Sequence, residues 1–393
     1  MKKIKSLVWR LLFVAQQVLL NSADFLFRLV LSLKGRISWV VGVDETAANV
    51  NYISQALPNS FSISIGTNRY YGFQYNQTAP SGKLANLLFR IIYAPILLAY
   101  LLNRSDGFFY IGNTRFLISR FDEGEYELKY LKGRSKRIVL FYCGSDIRSP
   151  KLALEQSKIH GNEVFVSYLG PNFLTEEFEQ TLKRRASVSE KYAECIFTAS
   201  VDQASYFTKK TTPFLYFYLD NLFHYNENKF RQIGAPKIIH APSNPIIKGT
   251  QLVRAAISRL RREGFKFTYV ELIGVPNQVV LEELRSAHIA LNEFYAFVPG
   301  LFGVEAMAAH CALLTAADED IEPDLPRGSN NAWLVTRTYE IYDHLKLLLG
   351  NPELMKRYAD SGFEWATRYA AQSQSSQRLR EILSRSNSST VKC

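Results

Sequence analysis

Between residues 237 and 315 the chain alternates short apolar runs with amphipathic stretches, and this alternation restricts the possible folds more than any other feature. Lys237-Ile238-Ile239-His240-Ala241 is an apolar run closed by Pro242-Ser243, which predicts a strand ending in a loop. Over residues 251–263, Val253, Ala256, Ile257 and Leu260 share one helical face, Arg254, Arg259, Arg261 and Arg262 lie elsewhere, and Gly264 is the stop. Residues 267–273 predict a second strand, Gly274-Val275-Pro276 a turn, 277–286 a helix capped by Asn277, and 288–291 a third strand. A loop over 299–303 then feeds a helix carrying Glu305, and 311–315 form a fourth strand. Strands joined by single helices pair in parallel, so the pattern predicts an α/β, doubly wound sheet with ligands at the carboxyl ends of its strands. Lys248 and Glu305 both fall there.

The run Phe302-Gly303-Val304-Glu305-Ala306-Met307-Ala308 reads as a glycine loop opening onto a helix with a carboxylate in its first turn. Loop and helix amides suit a diphosphate, and Glu305 can accept ribose hydroxyl protons. The same composition also makes an ordinary helix. In the other half, Ile37-Ser38-Trp39-Val40-Val41 predicts a strand ending at Gly42, and 47–57 a helix that Pro58 stops. Residues 137–142 predict a buried strand that delivers Cys143-Gly144-Ser145-Asp146-Ile147-Arg148 at its carboxyl end. Gly144 permits close backbone approach, and Asp146 either accepts from a sugar hydroxyl or pairs with Arg148 to fix the turn. Residues 194–200 read as a strand leading through 201–203 to a helix, and 212–220 as an aromatic strand before the interdomain connection. The final stretch, 352–383, has apolar residues all around its helical circumference and a bend expected at Gly362.

Residues 240–320 resemble the carboxy-terminal domain of the GT-B glycosyltransferases, specifically the retaining family-4 type, through His240-Ala241-Pro242-Ser243, Lys248-Gly249-Thr250 and Gly303 to Ala308 in that order. The resemblance implies two Rossmann-like domains facing across a cleft: an acceptor domain over 36–225 and a nucleotide-sugar donor domain over 226–355. A helix over 356–383 would cross back to the first domain, with a disordered tail over 384–393. It assigns the donor diphosphate to Lys248, Gly249 and the loop bearing Gly300 and Gly303, the ribose to Glu305, and a place beside the donor to Gly274. Gly42, Gly144, Ser145 and Asp146 would face the acceptor. Two departures fall in the site: Pro245 stands where a second cation is usual, and Phe297 stands eight positions before Glu305, where a glutamate usually contacts the donor sugar. Glu293 is the nearest carboxylate to replace it, or else a solvated loop residue; Lys248, Glu293 and Asp146 are the candidate catalytic groups.

Composition bears on location. The net charge of +11 is uneven, with Lys2, Lys3, Lys5, Arg10, Arg28, Lys34 and Arg36 against Asp24 alone in the opening segment. Val8, Leu11, Leu12 and Ala15 make an apolar stripe among them. Residues 1–35 therefore read as a basic amphipathic segment for an anionic membrane surface, or as a helix packed on its own domain. Residues 84–102 are nearly long and apolar enough to span a bilayer, though a buried or half-immersed helix keeps the first domain intact. Cys143, Cys195, Cys311 and Cys393 show no metal-ligand spacing, which suits reduced thiols and the cytoplasm. Asp318-Glu319-Asp320 reads as an acidic loop and not a cation site, and His240 and His310 as packed residues. No nucleic-acid motif accompanies the basic charge.

The sequence expectation is thus a metal-independent, retaining glycosyltransferase of the GT-B fold with no cofactor beyond its nucleotide-sugar substrate. Its acceptor would be a lipid-linked or oligosaccharide glycan at the inner face of the cell membrane. The alternative is a degenerate homologue that binds a glycan or a partner without turnover.

Overall fold

Two parallel sheets organise the chain in a computed structural model that describes residues 2–30, 36–66, 70–231 and 233–389. The first sheet holds β1 (Ile37–Gly42), β2 (Ser60–Ser64), β3 (Gln77–Thr78), β4 (Ser105–Ile111), β5 (Arg137–Phe141), β6 (Cys195–Thr198) and β7 (Thr212–Pro213). Its order is β3-β2-β1-β4-β5-β6-β7. The second holds β8 (Lys237–His240), β9 (Thr268–Glu271), β10 (Ile289–Leu291), β11 (Ala312–Thr315) and β12 (Leu334–Val335), in the order β12-β11-β10-β8-β9. Both are doubly wound, as the strand–helix alternation predicts. Each order reverses once, between β1 and β4 and between β8 and β10, and the crevice beyond such a reversal is where open α/β sheets take ligands.

The period of two in the strands divides the first domain's core. Val40, Phe108, Tyr110, Ile138 and Leu140 pack on one face, against Leu97, Leu98 and Leu101 of the helix Ala94–Leu102. Val41, Phe109, Val139, Phe141 and Phe197 pack on the other. Sequence reasoning did not foresee β2 or β4, although β4 lies between β1 and β5 at the sheet's centre. Its polar opening, Ser105-Asp106-Gly107, leaves only four consecutive apolar residues to signal it.

Several expected elements differ in detail. The helix expected over 47–57 is Asn49–Ala56, because Ala47 and Ala48 take positive φ angles of 52° and 61°. Residues 201–203 turn without starting a helix, and the aromatic strand over 212–220 shrinks to β7. The final stretch is two helices, Pro352–Tyr369 and Gln372–Ser389, divided where Tyr218 forms a parallel bridge to Ala371. Gly362 marks no bend: a Cβ there would come within 2.9 Å of the Ala332 carbonyl, so its role is close packing. The second helix returns to the first domain, where Gln372 Nε2 donates to the Tyr52 carbonyl (2.7 Å) and Arg137 Nη2 to the Leu383 carbonyl (2.6 Å). It runs on to Ser389, into the stretch expected as a disordered tail; 390–393, with Cys393, lie outside the described residues.

The amino-terminal helix Lys2–Val30 packs one face on its own domain and leaves the other exposed. One face packs on Ala94–Leu102, with Leu20 buried and Gln16 Nε2 donating to the Arg90 carbonyl (2.8 Å). Asp24 on that face accepts from Arg28, Arg134, Asn103 and Tyr130; burial pushes its carboxyl up, but these partners outweigh it and hold it at about 2. The other face leaves Leu7, Leu11, Val14, Val18 and Leu29 exposed. The side chains of Lys2, Lys3 and Lys5, and all of Lys34, lie outside the described residues. Lys83–Leu102 is long and apolar enough to cross a membrane, yet its second half is buried in the first domain, and its first half exposes Leu84, Leu87, Leu88, Ile92 and Tyr93.

Candidate active site

The loops after β8 and β10 meet the loop after β1 across the cleft between the sheets and enclose a cavity of about 420 Å³. Lys248, Gly274 and Glu305 line it from the second domain, and Glu45, Tyr70 and Tyr71 from the first. A second cavity of about 280 Å³ shares Lys248 and is bounded by Glu293 and Gly300 on one side and by Gly144, Ser145, Arg148 and Asp202 on the other. Lys248 therefore stands where the two cavities meet.

Each of these groups is placed by local structure. Gly249 follows Lys248 at φ +74°, a conformation costly for any other residue, and starts the helix Thr250–Arg262. His240, at the end of β8, is fully used in packing: Nδ1 bonds the Leu291 carbonyl (2.8 Å) and Nε2 meets Thr250 Oγ1 (2.9 Å). Burial lowers its pKa to about 4, so it stays neutral and serves to tie β8 to β10. His310 is likewise packed, against Asp360 and the Tyr225 ring.

The glycine run is not a loop. The helix already begins at Gly300, and spans Gly300–Ala308, so the run is its first turn and Glu305 lies in the second. The amides of that first turn have no acceptors within the helix, so its amino-terminal end at Gly300 carries the positive end of the helix dipole. Gly300 takes φ +59°, and a Cβ there would lie 3.1 Å from Glu293 Oε1. Gly303 has a different reason: its Cβ would strike Asn292 and Pro299, both at 2.9 Å, so it permits packing and does not line either cavity.

Glu305 is buried, and desolvation raises its carboxyl to about 7. One partner opposes this, Asn277, whose Nδ2 donates to Glu305 Oε1 (2.8 Å). Asn277 therefore does not cap its helix as the sequence predicts; Pro276 holds the cap position, and the amide side chain turns to the carboxylate instead. Lys248 Nζ forms an ion pair with Glu293, and the two side chains are 24% and 14% exposed. In this arrangement the lysine's charge is already balanced, and an incoming anion must compete with Glu293 for it.

Of the residues expected on the acceptor side, two line a cavity and two do not. Gly144 and Ser145 line the second cavity, whereas Gly42 and Asp146 do not. Gly42 ends β1 where a Cβ would come within 2.5 Å of Ile63, so its purpose is strand packing. Asp146 lines neither cavity and does not pair with Arg148: its carboxylate accepts from its own loop, from the amides of Gly144 (2.8 Å) and Cys143 (3.0 Å). Arg148 pairs with Asp202 and lies over the Phe165 ring, 4.5 Å from its centroid.

Phe297, where a glutamate was the family expectation, is buried between the domains with Ala153, Val164, Val166 and Ile321. Its amide donates to Asp202 Oδ1 (2.9 Å). Beside it, the buried carboxylate of Glu322 reaches from the second domain to accept from the amides of Val201 (2.9 Å) and Asp202 (2.7 Å). Asp318 is held by Arg337 and Asn330, and no cluster of metal-ligating side chains occurs among the described residues. Sequence reasoning missed Asn277 as a site residue, together with Tyr70, Tyr71, Glu45, Arg148 and Asp202; they come from separate loops with no shared motif.

No family model and no curated protein matches the chain. Solved structures do. Sucrose-phosphate synthase from Thermosynechococcus elongatus superposes with a TM-score of 0.59 over 90% of this chain and 99% of its own, at 13% identity. WaaG, described as a glycosyltransferase involved in lipopolysaccharide biosynthesis, superposes with a TM-score of 0.51 over 88% of this chain and 99% of its own, at 12% identity. The chain therefore has the GT-B fold: two Rossmann-like domains that face one another across the cleft just described.

Proposed function

We propose that the protein is a glycosyltransferase that moves a sugar from a nucleoside-diphosphate donor to a membrane-associated glycan or lipid-linked acceptor, with retained configuration and without a metal. One observation carries the reading: Lys248, Glu305 and the first turn at Gly300 converge on the cleft at the strand-order reversal of the second sheet. The GT-B fold and the neighbours' activities support it. In this reading Glu305, aligned by Asn277, holds the ribose. Lys248 leaves Glu293 for the diphosphate, and together with the first-turn amides it stabilises the charge that develops on the leaving group. Glu293, displaced from Lys248 but adjacent to it, then faces the donor sugar. Gly144 and Ser145 bound the space left for the acceptor.

Membrane association is part of the proposal, resting on the exposed apolar face of Lys2–Val30 and on Leu84, Leu87 and Leu88. A cytoplasmic position at the inner membrane face fits the free thiols of Cys143, Cys195 and Cys311. The charge balance of Lys248 and the domain-packing role of Phe297 favour a second reading, a binder without turnover. Incubation with a panel of nucleotide sugars and a membrane extract decides between them. Nucleoside diphosphate should be released by the unaltered protein and not by Lys248→Ala; release at background with every donor would leave the binder.

A further inference from the structure

The donor-side cavity has a wall that the second domain does not supply. Tyr70 and Tyr71 belong to the connection between β2 and β3, and they line the cavity together with Leu272, Gly274, Val275 and Val280 of the second domain. Residues 70–76 of this connection, the arm that carries them, are held by contacts at both ends. At its base, Asn76 Oδ1 accepts from the Ser62 amide (2.8 Å), and the Asn76 amide donates to Ser62 Oγ (3.2 Å). Tyr75 then donates from its hydroxyl to Glu45 Oε2 (2.8 Å). Phe73 lies between Tyr52, 5.8 Å away, and Tyr71, on which it stacks at 5.2 Å and 9° from parallel. At its far end the Tyr70 carbonyl accepts from the amide of Asn277 (3.0 Å), the residue whose side chain holds Glu305.

One residue of the second domain thus sets both the arm and the carboxylate assigned to the ribose. Tyr71 and Glu305 line the same cavity, and burial, followed by the charge of Glu305, pushes the Tyr71 hydroxyl far above its ordinary range. A ribose held at Glu305 carries its base one bond from C1′, so the base must lie against whatever surrounds Glu305. Here that includes a tyrosine already backed by a phenylalanine, lining a cavity to which Leu272, Val275 and Val280 also contribute.

We infer that Tyr71, backed by Phe73, is the stacking platform for the nucleobase of the donor, so that nucleoside recognition is divided between the two domains. The inference rests on the donor-site reading above and deepens it. Aromatic stacking of a base is tolerant of base identity, so the platform supplies affinity more than selectivity.

Calorimetric titration of the unaltered protein, Tyr71→Leu and Tyr71→Phe with uridine diphosphate, adenosine diphosphate and inorganic pyrophosphate tests it. Tyr71→Leu should weaken the tighter nucleoside diphosphate about tenfold or more and leave pyrophosphate unchanged, with Tyr71→Phe within about threefold of the unaltered protein. Undiminished nucleoside diphosphate binding by Tyr71→Leu overturns the inference, as does a loss that is equal for pyrophosphate. If the unaltered protein binds pyrophosphate but neither nucleoside diphosphate more tightly, the platform falls and the phosphate site stands. If it binds none of the three, the donor site itself falls, and the platform with it.

Discussion

Glu305 couples stability to binding through one proton. Its carboxyl is raised from 4.5 to about 7 by burial. The folded chain therefore holds this proton more tightly than the unfolded chain. Stability from this group is greatest below about pH 4.5, declines as pH rises towards 7, and is flat above, with a total cost of at most about 3 kcal/mol. Glu305→Gln removes that titration: the unliganded variant should be more stable than the unaltered protein at pH 8 and little different at pH 4.5. Ribose hydroxyls bond more strongly to an ionised acceptor than to a neutral one, so nucleoside diphosphate affinity of the unaltered protein should rise between pH 5.5 and 8, while the variant binds weakly and evenly. Thermal unfolding and calorimetry at both ends of this range check the two signs; a flat affinity profile in the unaltered protein would refute the assignment of Glu305 to the ribose. Sequence reasoning reached Lys248 and Glu305 because their neighbours form recognisable runs. It did not reach Asn277, because a cap and a carboxylate partner look the same until the helix's surroundings are known.

The helix Lys2–Val30 shows the same ambiguity at the level of an element. A stripe of apolar residues says that one face is covered, and here two faces are apolar: one beneath which Leu20 is buried, another along which Leu11 and Val18 remain exposed. Removing the whole helix would strip the first domain of its cover and of the Asp24 pairings, so surface substitutions are the sharper test. Leu11→Glu with Val18→Glu should leave Tm nearly unchanged, since both side chains are exposed, and should reduce co-sedimentation with anionic vesicles at least tenfold, each burial in lipid being worth about 1.5–3 kcal/mol. Unchanged sedimentation would move the contact to Leu84, Leu87 and Leu88. A marked fall in Tm would mean that this face is packed after all.

For the whole molecule, the decisive contact is between the domains. Phe297 is 1% exposed among residues of both, and Glu322 satisfies backbone amides across the same junction. Placing a glutamate at this position by Phe297→Glu should therefore not create a sugar contact. It should bury an unpaired carboxyl and empty an apolar site, lowering stability by more than about 3 kcal/mol. Denaturant unfolding measures this; a variant as stable as the unaltered protein would mean that position 297 can face the cleft.

The alternation of apolar runs with amphipathic stretches over residues 237–315 determined four of the five strands of the second sheet, all but β12, because period and spacing are local properties that a chain cannot disguise. The same locality put Lys248 and Glu305 at strand ends. What surrounds those ends was decided only in three dimensions. Gly303 and Gly42 differ from Gly300 in what lies opposite their missing Cβ atoms, and only Gly300 takes a positive φ. Asp146 turns inward because the amides of Cys143 and Gly144, in its own loop, donate to its carboxylate. β4 became the central strand through its neighbours on both sides and not through its own propensity. Tyr71 and Glu305, more than two hundred residues apart, meet at one cavity because two separately wound sheets present their carboxyl ends to each other, and contact across a domain junction leaves no periodic trace in either segment.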